Sequence, residues 1–268
     1  MMKPEAMYSD DLSIVLAIEE IDRNLYRGIN TTDAPSRTAL YGGQVAAQAL
    51  MAAGLTVGED RLPHSLHGYF LRPGRTDLPV LLHVDRDRDG RSFSARHVSA
   101  MQDGEVIFSM LASFHTADAD SALDAMPPSD VKSPEECSPY PIDSLVDVRE
   151  VTITEVVDGH QLYSDCLWMK SKKPLPKDRL THACALTYLS DLGSGFGRMT
   201  TGGNGGPSLD HAVWFHEPVL ADEWVLLHMW PKKATHVRGL YDGTMRDRNG
   251  RLGGVIAQEN LLLHRPPG

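Results

Sequence analysis

The chain has 268 residues, room for one large domain or two ordinary ones, and its 41% apolar and 23% charged side chains mark a globular protein. Its net charge of −10 excludes a general nucleic-acid binder, which needs a basic surface, but leaves room for a local Arg/Lys cluster that holds a small anion. No stretch approaches the ~20 apolar residues that cross a bilayer, and the three widely spaced cysteines, Cys137, Cys166 and Cys184, offer neither a disulfide framework nor a zinc motif.

The first residues, MMKPEAMYSDDLS, have neither the basic start nor the apolar run of a secretory signal; with the cysteine usage, this leads us to expect a cytoplasmic protein. AIEEIDRNLYRG reads as strand-like, and GGQVAAQALMAAGLTV (Gly42 to Val57) as a helix with little polar surface. YFLRPGRTDLPVLLHV (Tyr69 to Val84) follows, then the turn QDGE (Gln102 to Glu105) and a closing strand that ends at His115. The next segment, 118–143, is rich in Pro, Ser and acid without periodicity and reads as an exposed linker between residues 1–117 and 144–268.

In the second part, VREVTITEVVDGHQLYSDCLWMK alternates and bends at Asp158-Gly159, a hairpin signal. LTHACALTYLSDLG predicts a helix over Leu180 to Leu192, with Leu180, Cys184, Thr187 and Asp191 on one face. Asp191 falls in the last turn, where the helix dipole penalises a negative charge by roughly 0.3–1 kcal/mol. An acid in that place needs a reason.

WFHEPVLADEWVLLHM (Trp214 to Met229) repeats the earlier stretch: Phe70/Phe215, Pro73/Pro218 and Leu81-Leu82-His83/Leu226-Leu227-His228 match at one constant spacing. The turn DRNGR (Asp247 to Arg251) and a last strand ending at His264 complete the second copy. Each half is therefore expected to be α+β: a strand or hairpin, one buried helix, then three or four antiparallel strands that wrap it. Two such units pair edge to edge and so cover exposed strand edges.

Six segments in this order, YGGQVAAQAL, HSLHGYFLRPG, DGRSFSARHV, YLSDL, SLDHAVWFHEP and AQENLLLHR, make the chain resemble the type II acyl-CoA thioesterases with a double hotdog fold. The resemblance implies two tandem hotdog units, each a long helix wrapped by a curved antiparallel sheet, and hydrolysis of fatty acyl-CoA to free fatty acid and CoA without metal or cofactor. It also implies an Asp, a Thr or Ser and a Gln acting on one water, which fall here on Asp191, Ser208 and Gln258. Ser208 departs from the more familiar Thr and keeps only the hydroxyl, and QEN departs from the usual QEG.

Thioester hydrolysis needs a positioned water, a group to take its proton, and donors for the oxyanion. Asp191 suits the second task, and Ser208 and Gln258 can each give and accept hydrogen bonds to fix the water. The oxyanion donor is expected to be a backbone N–H. Singly, Asp191 reads as a solvated helix-end acid, Ser208 as a turn residue after GGNGGP and Gln258 as a satisfied strand residue; only their joint appearance at the positions that the resemblance implies assigns them. The first-half helix has no acid, and Ser113 stands at the repeat spacing before Gln258, so one hydrolytic centre per chain is expected.

Asp210, His211 and His216 match no zinc spacing and read as structural, with His and Asp bonded to backbone or to each other. Without a G-x-S-x-G elbow, a covalent serine mechanism is not expected. GSGFG follows a helix, the wrong context for a dinucleotide turn, and reads as a mobile loop beside the active site. The CoA moiety is assigned to Arg91, Ser92 and Phe93 in the basic stretch Arg86 to Arg96, and the acyl chain to apolar helix and strand faces. Two other readings stand beside this one: a hotdog enoyl-CoA hydratase, which needs an Asp/His pair that the Asp191 helix does not supply, and a non-catalytic acyl-CoA binding module. By analogy of fold the chain is expected to form a homo-oligomer.

Overall fold

The computed structural model describes residues 11–30, 39–116, 123–126, 128–151, 155–157, 160–163, 166–196, 198–199 and 203–264. Its first half runs α1 (Leu12–Leu16), β1 (Ile18–Asp22), β2 (Leu25–Gly28), α2 (Gly42–Gly54), β3 (Arg61–Phe70), β4 (Val80–Asp89), β5 (Phe93–Gln102) and β6 (Glu105–Thr116). The second half runs β7 (Ser138–Pro139), β8 (Val146–Glu150), β9 (Glu155–Val157), β10 (His160–Tyr163), β11 (Cys166–Ser171), α3 (Arg179–Ser190), β12 (Arg198–Met199), β13 (Gly203–Ser208), β14 (Asp210–Phe215), β15 (Val225–Ala234), β16 (Arg238–Asp247) and β17 (Leu252–His264).

The order of β2-β4-β5-β6-β3 in the first half is repeated by β11-β15-β16-β17-β14 in the second, which carries further short strands of its own. A 14-stranded sheet has the order β1-β2-β4-β5-β6-β3-β14-β17-β16-β15-β11-β8-β7, with β13 pairing β17 off that path. Its seam is the antiparallel pair β3–β14, from Tyr69 opposite Asp210 to Ser65 opposite Trp214, so the two halves do join edge to edge. Asp103 (φ 51°) and Gly104 (φ 80°) turn the β5–β6 hairpin at QDGE in the left-handed conformation, and Gly250 (φ 83°) serves the corresponding turn in the second half. The β9–β10 hairpin sets His160 opposite Val157; its expected turn residues, Asp158 and Gly159, lie outside the described residues.

Both long helices are buried on nearly every side. Five alanines of α2 are fully inaccessible, and every α3 residue from Thr181 to Ser190 is buried. Such helices must lie between layers or against each other. Small residues let them approach closely: a Cβ on Gly43 would lie 2.7 Å from the Tyr188 backbone oxygen, and one on Gly54 would strike Leu180. The start of α2 therefore lies beside the end of α3, and the end of α2 beside the start of α3. Asp178 caps α3 by accepting from the Thr181 amide at 2.8 Å.

The segment read as an exposed linker is anchored along its described part. Trp168 donates to the Lys132 carbonyl at 2.8 Å, and Arg246 donates to Asp124 and to the Met126 carbonyl. Pro134, Cys137 and Asp143 are buried, and Cys137 packs with Val151, Cys166, Trp168 and Leu226. This cover explains a difference between repeat partners. His83 has a half-exposed side chain. Its counterpart His228 is buried, bonded through Nδ1 to the Ser129 hydroxyl at 2.7 Å and packed on Trp230.

Burial pushes His228 down to about 4 from its ordinary 6.5. Between those values the unfolded chain binds a proton that the folded chain refuses, so the neutral-pH stability from this site is lost as pH falls from 6.5 towards 4. His228→Phe keeps an aromatic ring against Trp230 and removes the titration. We expect the wild-type urea midpoint to fall more between about pH 7 and pH 5 than that of His228→Phe, because only the wild type takes up that proton on unfolding. Equal falls would remove His228 as the cause.

Candidate active site

The three residues singled out from the sequence converge on one point. Asp191 is the C-cap of α3, Ser208 ends β13, and Gln258 lies within β17, where Ser208 faces Asn260. The Ser208 hydroxyl donates to Asp191 Oδ1 at 2.9 Å, and Gln258 Nε2 donates to the same oxygen at 3.0 Å and to Ser208 Oγ at 2.6 Å. Asp191 Oδ1 thus receives two bonds. Oδ2 makes none among the described residues.

That second oxygen faces the start of α2. A Cβ built on Gly42 would lie 2.7 Å from Asp191 Oδ2 and 3.0 Å from the ring of Phe70. Tyr41, the N-cap of α2, supplies no side-chain cap; its hydroxyl instead donates to the Tyr188 carbonyl at 2.7 Å and ties the two helices together. The first α-helical bond runs from Val45 N–H to the Tyr41 carbonyl, so the amides of Gly42, Gly43 and Gln44 have no partner within the helix. The placement of Asp191 now has an electrostatic account. Its own helix disfavours the charge, but the positive end of a second helix faces it, an effect of the same order, ~0.3–1 kcal/mol.

Behind the trio lies a second layer that the sequence reading missed. His211 on β14 was read as bonded to backbone or to Asp210, but it bonds to neither. Its Nδ1 meets Gln258 Oε1, and its Nε2 lies 2.7 Å from the Ser190 hydroxyl. Asp210 does bond backbone, accepting from the Glu259 amide at 2.7 Å. Burial pushes His211 below its ordinary value, and the Asp191 carboxylate, Gln258 and Asp210 oppose that without reversing it. The ring is therefore neutral at neutral pH. Alternation along β14 carried a signal, because His211 and Val213 share the inward face at 1% and 0% exposure.

The residues assigned to the CoA moiety lie at a distance from the trio. Phe93 opens β5 opposite His115, which faces Leu62, whereas the trio adjoins Phe70 at the other end of β3. About eight residues at ~3.3 Å each separate those ends. Arg91, Ser92 and Phe93 therefore do not meet Asp191 within the chain. Arg96, in the same basic stretch, is 1% exposed and spent on Thr56, the Arg88 and Ala95 carbonyls and Asp89, so it is unavailable to a phosphate.

The loop after α3 is packed where it is described. Ser194 Oγ accepts from the Phe196 amide and from Asn260 Nδ2, and a Cβ on Gly195 would strike Tyr241. The residue that makes this chain QEN thus tethers the loop. Residues 197 and 200–202 of that loop lie outside the described residues.

The repeat comparison also shifts by one residue. Phe108 faces Phe70 and Gly254 faces Phe215, so the counterpart of Gln258 is Ala112, not Ser113; the second-half turn holds one residue more. Ala112 offers no polar group, and Leu66 stands where the second unit has His211. No cluster of His, Cys, Asp and Glu suited to a metal occurs among the described residues.

Two family models match the chain: the acyl-CoA thioesterase N-terminal domain over residues 31–115 and acyl-CoA thioesterase over residues 139–261. The rat protein acyl-coenzyme A thioesterase 8 is 33% identical, with 94% of this chain and 88% of that protein aligned. The crystal structure of acyl-CoA thioesterase II TesB2 from Mycobacterium marinum superposes with a TM-score of 0.79 at 38% identity, covering 95% of this chain and 98% of that one. A hot dog fold protein from Alicyclobacillus acidocaldarius has a TM-score of 0.70 at 20% identity, covering 96% and 98%, and supports the fold alone.

Proposed function

Since the chain belongs to the type II acyl-CoA thioesterase family, and is a double hotdog acyl-CoA thioester hydrolase, we propose that Asp191, Ser208 and Gln258 activate the hydrolytic water. The observation that carries this reading is the division of labour on Asp191. Ser208 and Gln258 occupy Oδ1 and fix the plane of the carboxylate, so Oδ2 is left to take a proton beside the first turn of α2. Water bound to Oδ2 attacks the thioester carbon, its proton passes to Oδ2, and the carbonyl oxygen becomes an oxyanion. The amides at the start of α2, oriented along the positive end of that helix, are the donors we assign to the oxyanion. Collapse of the tetrahedral species breaks the C–S bond, and the Asp191 proton passes to the departing sulfur.

The oxyanion donors come from the first unit and the base from the second, so one centre uses both halves of the chain. Tyr41, Phe70 and Leu192, partly buried against the core, give this place an apolar wall that suits a fatty acyl chain. We read residues 1–117 and 144–268 as the two hotdog units joined by 118–143, in keeping with β6 ending at Thr116.

A homo-oligomer is part of the same reading. The stretches SLHGY (65–69) and SMLASFH (109–115) pair across β3 and β6, contain no charged side chain, and leave Tyr69 and Leu111 63% and 49% exposed. On a chain of net charge −10, such a face is where two copies meet with least repulsion. Three free cysteines support a reducing, cytoplasmic setting.

The water mechanism is tested by a single turnover in ¹⁸O water with enzyme in excess. The released acid should carry one ¹⁸O atom and the enzyme none. Label in the peptide that holds Asp191 would mean an acyl-aspartyl anhydride, and the carboxylate would then be the nucleophile.

A further inference from the structure

The amide of Gln258 must keep one orientation for the trio to hold. Turned the other way, its carbonyl oxygen would face Asp191 Oδ1 and both would be acceptors. Asp191 favours the first orientation from the front, and the layer behind the trio holds it from the other side. Gln258 Oε1 can only accept, so His211 Nδ1 must carry the proton between them. A neutral His211 then has a bare Nε2, and the group it meets is the fully buried Ser190 hydroxyl, 2.7 Å away. That hydroxyl also lies within donating distance of the Thr187 carbonyl, at 2.9 Å, and its one hydrogen can serve only one of the two; given to Nε2, it selects the tautomer that Gln258 needs. Each link fixes the next: Ser190 sets the ring, the ring sets the amide, and the amide sets Ser208 and Asp191.

We propose that Ser190 and His211 are positioning residues for hydrolysis, a buried relay that holds the Gln258 side chain with its N–H groups towards Asp191 and Ser208. The inference rests on the assigned role of the trio and extends it to two residues that act on Asp191 only through Gln258. Neither hydrogen bond is required by the fold. In the first unit, Leu66 occupies the place of His211 and Ala112 that of Gln258, both fully buried on the same β-strand faces. The apolar pair fills the space where the unit has no acid to serve. The polar pair appears only where the acid is.

The natural pair in the first unit defines the test. We would measure kcat and KM for acyl-CoA hydrolysis by wild type, His211→Leu, His211→Asn, Gln258→Ala and the double variant His211→Leu/Gln258→Ala, with thermal melts alongside. A displacement of the reacting groups by about 1 Å costs on the order of 10²-fold in rate. We expect His211→Leu to lose kcat on that scale with KM within about threefold, the pattern of misplaced reacting groups rather than of lost substrate binding. His211→Asn, whose amide can still donate to Gln258 Oε1, should recover much of the loss. In the Gln258→Ala background, His211→Leu should cost nothing further, because the group it orients is gone.

Losses that multiply in the double variant, or an unchanged kcat in His211→Leu, would overturn the relay. If His211→Leu fails to fold, Ser190→Ala removes one small hydroxyl and is read in the same cycle with the same two outcomes. A Gln258→Ala enzyme as fast as wild type would instead overturn the role of the trio, and the relay with it.

Discussion

Asp191→Asn is expected to keep its fold and its affinity for acyl-CoA and to lose about 10²–10⁴-fold in kcat, the usual contribution of a positioned general base. The substitution is close to isosteric. Asparagine can present its carbonyl oxygen where Oδ1 stands, so Ser208 and Gln258 keep their acceptor, while an amide nitrogen replaces Oδ2 and cannot take a proton. Stability should move little, because two opposing contributions vanish together. The repulsion from the end of α3 and the attraction from the start of α2 are each worth ~0.3–1 kcal/mol. Thiol release from a series of acyl-CoAs, measured beside a thermal melt and a binding titration, separates the outcomes. A variant within about threefold of wild type would place the base elsewhere, since a general base contributes far more than that. A variant that unfolds would make Asp191 structural.

The plan of the fold was legible because it is written twice. The match of Leu81-Leu82-His83 with Leu226-Leu227-His228 implies the strand order, and β4 and β15 occupy the places it sets. The same pair shows where the reading stopped. His83 and His228 are alike in sequence, yet one is half-exposed and the other buried, because Ser129, in the described part of the segment after β6, is seated on His228. A charged, proline-rich stretch gives no sign of where it lands. The site was legible in a different way. Asp191, Ser208 and Gln258 were assigned by resemblance, and nothing in their spacing brings a helix end, a short strand and a long strand together. His211 was visible but misread, since its partner Gln258 lies on a neighbouring strand and cannot be found by counting along β14. The error in assigning Ser113 has an equally plain cause: an ungapped count cannot see that one hairpin turn is a residue longer than its twin.

The residue most easily passed over in the sequence is Gly42, one of a pair of glycines before an alanine-rich helix, and its substitution should show that the acid-free first unit is half of the active site. A methyl group there would enter the space of Asp191 Oδ2 and the Phe70 ring, at 2.7 and 3.0 Å. Both neighbours are side-chain ends and can give way, so Gly42→Ala should fold. Alanine is the better helix former by up to ~1 kcal/mol, so stability should hold or rise. The carboxylate, however, must swing away from the first turn of α2, and a shift of about 1 Å costs on the order of 10²-fold in rate. Activity and stability are thus expected to move in opposite directions, which general damage to the fold does not produce. Gly54→Ala at the other end of the same helix is the control. Its methyl would press on Leu180, far from Asp191, so whatever it does to the melting temperature it should leave kcat within about threefold of wild type. If Gly42→Ala hydrolyses acyl-CoA at the wild-type rate, Asp191 does not work against the start of α2, and the oxyanion donors must be sought in the second unit.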